Sequence, residues 1–285
     1  MKLASGLLVL CLMTTCVIGA TLAKYTTGNS ASDTARVAKW GVTVSTSGTL
    51  FGKNYGANDA LEAADQNSIV ATSTNVASAD ANKVVAPGTK NDTGLQIKLA
   101  GTPEVAYKVA VTTTGENNKD IYLKTGSYGV MVEVVGANAA TDVTGFYTLG
   151  AGVYTKEDGA AVYSSTKTYY QLVDAVTLSS DYYPVEWTVN NGSTNTVCAN
   201  TAAVITALNA LNGDRNANVA SDATYKITWA WKFDGANDGA DTILGNINTD
   251  AKVVVLDGGV YKTITNASYC LDVALNVTVT VTQIN

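Results

Sequence analysis

Alternation of apolar and polar residues with a period of two dominates this chain. It is longest at the C-terminus. There Leu271, Val273, Leu275, Val277, Val279 and Val281 share one face, and Asp272, Ala274, Asn276, Thr278, Thr280 and Thr282 share the other. Successive side chains of a strand point to opposite sides, so this run predicts one long half-buried strand. Tyr225, Ile227, Trp229, Trp231 and Phe233 make a second, aromatic face, suited to the centre of a core. Shorter runs over 95–99, 105–111, 130–134 and 185–189 predict further strands, and the first strand reads as starting near Val37. Residues 146–173 are rich in Tyr, Thr and Gly and read as short strands with tight turns. Asp257-Gly258-Gly259 between two apolar runs predicts a hairpin.

One segment departs from this period. Over 201–211, Val204, Leu208 and Leu211 recur at helical spacing, with Asn200 or Thr201 placed to cap the start and Gly213 just past the end. The stretch 52–83 is rich in Ala, Asn, Ser and Asp and reads as a long surface excursion, with a helical turn near 59–64. No linker divides the remainder. Many strands and one helix predict an all-β fold, a two-sheet antiparallel sandwich with one short inserted helix, over residues 37–285.

The N-terminus adds a destination. Lys2 precedes an apolar core that ends in Thr21-Leu22-Ala23, with small residues at the −3 and −1 positions of a cleavage site. Residues 1–23 read as a signal peptide cut between Ala23 and Lys24, with Ala20 as the other candidate position, and residues 24–36 as a polar tail. The apolar core is short and interrupted, so no stable membrane insertion is expected after the cut. The formal charge of −6 comes without basic clusters, which argues against a nucleic-acid partner. Outside the leader only Cys198 and Cys270 remain. In an oxidising compartment they are a candidate disulfide; the other reading is two small packed thiols.

The chain contains no histidine. That removes the paired-histidine zinc motif, the Ser-His-Asp triad and the Cys-His pair. Carboxylates alone can cleave glycosides, yet Glu133 and Glu186 fall on the polar side of alternating runs. We therefore expect no catalytic residue, no metal and no cofactor. One acidic turn, with Asp234, Asn237, Asp238 and Asp241, has oxygens suited to calcium, although its spacing does not match the helix-loop-helix calcium loop and turn chemistry explains the same residues.

Several phrases together resemble a known family. The leader ending Gly19-Ala20-Thr21-Leu22-Ala23-Lys24-Tyr25 is similar to leaders cut by the SipW type of signal peptidase. The run from Ala35 through Trp40-Gly41-Val42-Thr43-Val44 resembles the first strand of TasA/camelysin-like secreted proteins of Gram-positive bacteria. Val85-Ala86-Pro87-Gly88-Thr89, followed by 95–99, resembles that family's segment leading into its next strand, and Trp229-Ala230-Trp231-Lys232-Phe233-Asp234 with Asp241-Thr242-Ile243-Leu244-Gly245, and the final Val-Thr repeat, are similar to its clostridial-type members. The resemblance implies a jelly-roll-like sandwich and a structural subunit of extracellular biofilm-matrix fibres, found in the matrix or at the cell surface. It implies self-association, alongside other matrix proteins, through donor-strand pairing, with Lys24, Tyr25, Thr26 and Thr27 as the candidate donor strand. Some relatives are described as surface metallopeptidases; without histidine that activity is not carried over. An adhesive or carbohydrate-binding sandwich is the alternative reading.

Overall fold

The computed structural model describes residues 36–51, 54–57, 76–77, 84–113, 118–138, 140–159, 162–232, 236–249 and 251–284. The chain divides into Met1–Ala38, of which only residues 36–38 are described, and a compact unit, Lys39–Asn285. The cleavage position at Ala23 and Lys24, the donor residues Lys24, Tyr25, Thr26 and Thr27, and the helical turn near 59–64 lie outside the described residues. All described strands and helices belong to the larger unit.

The fold is all-β. Its largest sheet runs in the order β12 (Asn195–Cys198), β11 (Val185–Asn190), β14 (Ala223–Trp231), β4 (Thr89–Ala100), β2 (Asn54–Ala57) and β3 (Val76–Ala77), with β1 (Thr43–Gly48) also paired to β4. The aromatic alternation of β14 places Tyr225, Ile227, Trp229 and Trp231 inward, and Trp187 of β11 lies opposite Trp229. Glu186, between Val185 and Trp187, turns outward to Lys232 at 3.1 Å. A bulge between Ile227 and Trp229 faces Gly94 of β4. Gly94 has φ +69°, and a Cβ there would stand 2.3 Å from the Ile227 carbonyl oxygen, so only glycine fits.

The second layer holds β5 (Tyr107–Thr112) between β13 (Gly213–Arg215) and β18 (Thr278–Gln283), and beyond it the pair β6 (Tyr122–Leu123) and β17 (Tyr269–Cys270). Tyr107, Val109 and Leu123 from this layer share one core with Trp187, Ile227 and Trp229 from the first. Helix α1 (Thr201–Leu208) and a 3₁₀ turn (Asn209–Leu211) close this core with buried Val204, Leu208 and Leu211, as their spacing predicts. Asn200 caps α1 by accepting from the Ala203 N–H at 2.9 Å. Asp120 grips the same end, accepting from the Thr201 N–H and hydroxyl, each at 2.8 Å.

The structure departs from the sequence expectations in the stretch 52–83, where β2 and β3 join the large sheet, over 130–134, where Met131 is buried and Val132 exposed, and in three larger features. First, not all strands join a two-sheet sandwich. β7 (Gly126–Glu133), β8 (Tyr147–Gly150), β9 (Val153–Lys156), β10 (Tyr169–Leu178), β15 (Val253–Asp257) and β16 (Val260–Thr263) form a closed barrel. Long β10 pairs with β7 across a bulge between Val173 and Val176 and with β8 at Tyr169 and Tyr170, and closure leaves no free edge. Met131, Tyr154, Tyr170 and Val254 fill a small core of its own. The hairpin predicted at Asp257-Gly258-Gly259 joins β15 to β16, with φ +62° and +83° at the two glycines. Second, the acidic turn leads into a second helix, α2 (Asp238–Asn248), which buries Ala240, Ile243 and Leu244. Third, the first strand starts at Thr43, not near Val37, and the long C-terminal strand is regular only over Thr278–Gln283.

Candidate assembly groove

The chain enters the folded unit at a corner where the Lys39 N–H donates to Glu104 Oε2 at 2.8 Å and the Glu104 N–H donates to the Lys39 carbonyl at 3.0 Å. From there β1 runs along β4, with all six of its residues exposed. At its far end the chain turns inward: Leu50 is buried, and Phe51 meets the rings of Trp187 and Trp229 at centroid distances of 6.2 and 5.8 Å. Asn91 holds this turn, donating to the carbonyls of Thr49 and Leu50 and accepting from the Gly94 N–H at 2.9 Å. Trp229 Nε1 donates to the same Leu50 carbonyl at 2.7 Å.

Beside this latch the two layers stand apart. A hollow of about 830 Å³ opens between Phe51, Pro87, Trp231, Leu244, Leu271 and Val273. A smaller hollow of about 300 Å³ continues past Gly48, Leu95 and Leu275, and the two share Phe51, Val273 and Ala274. At the rim of the larger one, Asp241 accepts from the Tyr182 hydroxyl at 2.8 Å and from Trp231 Nε1 at 3.1 Å. Asp272 pairs with Lys119 at 2.7 Å and holds the lysine above its ordinary pKa, chiefly through that hydrogen bond.

The wall of the groove is the C-terminal segment. Ala274 exchanges both backbone hydrogen bonds with Lys119 at 2.9 Å. In extended backbone, neighbouring residues direct their N–H and C=O the opposite way, so Val273 and Leu275 turn theirs toward the groove. Further on, β18 pairs with β5 alone among the described residues and ends its sheet, with β1 packed nearby but not paired to it. Leu271, Val273, Leu275, Val277, Val279 and Val281 are only partly buried although they touch the core. The result is an open edge along 271–283, regular strand over Thr278–Gln283 and a single bridge at Ala274, carrying a row of half-covered apolar side chains. Such an edge is a template for another strand.

The candidate disulfide does not form: Cys198 and Cys270 are free thiols. Cys198 is paired with Trp187 at the margin of the large sheet, and Cys270 with Tyr122 in the small two-stranded sheet. Cys198 behaves as the packed-thiol reading expects, buried and with its pKa pushed up by burial. Of the acidic turn, Asp234 lies outside the described residues, while Asp241 is engaged by Tyr182 and Trp231. Among the described residues no group of three Cys, Asp or Glu is placed to hold a metal ion, and no helix is long and apolar enough to cross a membrane. The groove itself was missed in the sequence, because the same alternation that signals a strand cannot say that the strand lacks a neighbour. No family model, curated protein or solved structure matches this chain.

Proposed function

We propose that the protein is a secreted structural subunit of extracellular fibres, of the kind its resemblance to TasA/camelysin-like matrix proteins implies. The observation that carries this reading is the open edge at 271–283, with its half-covered apolar row beside the fully exposed β1. A strand added there from another copy gains main-chain hydrogen bonds and covers the row. The donor is the segment beginning Lys24, Tyr25, Thr26 and Thr27, whose β-branched threonines favour extended backbone. A contact that joins different surfaces of successive copies does not close, and it grows into a filament.

Negative-stain electron microscopy of the chain beginning at Lys24, compared with one lacking residues 24–36, tests this. Filaments from the first and monomers from the second are expected. Monomers from both at high concentration, in the presence of export-compartment calcium and salt, overturn the reading. The adhesive alternative draws on the barrel, whose Tyr147 and Tyr261 meet edge to face at 5.8 Å and stay partly exposed; binding of the unassembled protein to a glycan array would favour it.

A further inference from the structure

A hollow opens past one end of β1, and an exposed tryptophan stands before the other. Trp40 is 44 % exposed at the entry corner, beside the Lys39–Glu104 hydrogen bonds. The corner also includes Val219, 42 % exposed, whose loop is tied to Pro103 through the Asn218 N–H at 2.8 Å. Large exposed apolar side chains grouped in this way mark interaction surfaces. Between this corner and the hollow lies β1, six residues or about 20 Å long. The two features therefore sit at opposite ends of one strand, and neither can serve the other within a single copy.

Resting on the assembly reading above, we propose that Trp40 of one copy docks into the Phe51–Trp231–Leu271 hollow of the next copy and sets the register of the added strand. The chemistry matches on both sides. Phe51, Trp231 and Leu271 offer a flat apolar slot, and indole rings are the usual central anchors of protein interfaces. An indole N–H needs an acceptor when covered. The hollow already satisfies one in this way, from Trp231 to Asp241, and Asp272 adds a second carboxylate at the rim. Lys39, next to Trp40, brings a positive charge to those carboxylates.

Chain length agrees. Residues 24–39, the segment ahead of Trp40, span at most about 55 Å when extended. That is longer than the edge at 271–283, so the tail reaches its far end with the first few residues to spare. With Trp40 at the Leu271 end, the tail runs back along the edge toward Gln283, antiparallel to it, and no part of the edge is left uncovered. Placed at the Gln283 end, Trp40 itself would stand the length of the edge away from the hollow.

Two substitutions separate the halves of the contact. Trp40→Ala removes the plug. Gly245→Leu fills the hollow from its wall, since nothing lies within 4 Å of a Cβ built at Gly245. Filament formation is measured by electron microscopy and sedimentation on the chain beginning at Lys24, with Leu149→Ala on the exposed barrel surface as control. Each single variant is expected to lose filaments at concentrations at least tenfold above those sufficient for the parent, with an unchanged melting temperature, while the control assembles normally. Mixing the two variants is expected to yield one-to-one dimers that do not extend, because each copy keeps one good end. Filaments from Trp40→Ala or from Gly245→Leu at parental concentrations overturn the docking. If those filaments still require residues 24–36, the strand-donation reading stands without it; if the parent itself gives no filaments, both fall.

Discussion

Asn91 shows how much one side chain can organise. Its amide joins the end of β1, the inward turn at Leu50 and the Gly94 backbone, and Trp229 shares the Leu50 carbonyl with it. At roughly 1 kcal/mol net for each hydrogen bond, Asn91→Ala is expected to cost about 2 kcal/mol in urea unfolding. Gly94→Ala is expected to cost more, about 3 kcal/mol, because positive φ and the Ile227 carbonyl both exclude a Cβ. The cysteines give a third residue-scale outcome. With the leader removed, Cys270 is expected to react with a thiol reagent within minutes, while buried Cys198 reacts only on unfolding; mass-spectrometric mapping of the labels distinguishes them. A protein with no titratable thiol in the absence of reductant would contradict the free-thiol arrangement.

At the scale of elements, the barrel is held partly by charge. Glu157, just after β9, accepts from Lys167 at 2.8 Å and from the Thr148 hydroxyl of β8 at 3.1 Å. The lysine hydrogen bond, first among the causes, holds its carboxyl below the ordinary range. A depressed carboxylate contributes stability that is present above its unfolded-state pKa and lost as pH falls through the lower folded value. The melting temperature of the parent is therefore expected to drop more steeply than that of Glu157→Gln between pH 5 and 3, an interval about the usual carboxylate range. Equal slopes would show that the pair contributes nothing. The C-terminal segment shows the limit of reading elements locally. Its alternation placed Leu271 through Val281 on the core side, and they are there, but only Thr278–Gln283 found a full partner strand. Hydrogen bonding to a neighbour is not a property of the segment that contains the pattern.

At the scale of the whole molecule, the proposed assembly joins two different surfaces, the groove and the Trp40 corner, and a contact of that kind grows by heterologous addition. Filament growth is expected to be weakly dependent on salt, since the row along 271–281 is apolar and the rim charges are few; critical concentrations measured at 0.05 and 0.5 M sodium chloride test this. A tenfold or larger difference would mean that charge, and not the apolar edge, drives association.

The sequence by itself determined the inward side of β11, β14 and the capped helix, since period-two alternation and the spacing of Val204, Leu208 and Leu211 act within a few residues; it failed over 130–134, where Met131 is buried and Val132 exposed. It determined the capped helix at Asn200, the glycine hairpin after Asp257 and the outward turn of Glu186 for the same reason. Only the tertiary structure decided that six strands close into a barrel apart from the sandwich, that Asp238–Asn248 winds into a helix, that Cys198 and Cys270 stay apart, and that the last apolar row borders a groove. Each of those depends on which distant segments become neighbours, and pairing across more than a hundred residues leaves no mark in a local pattern.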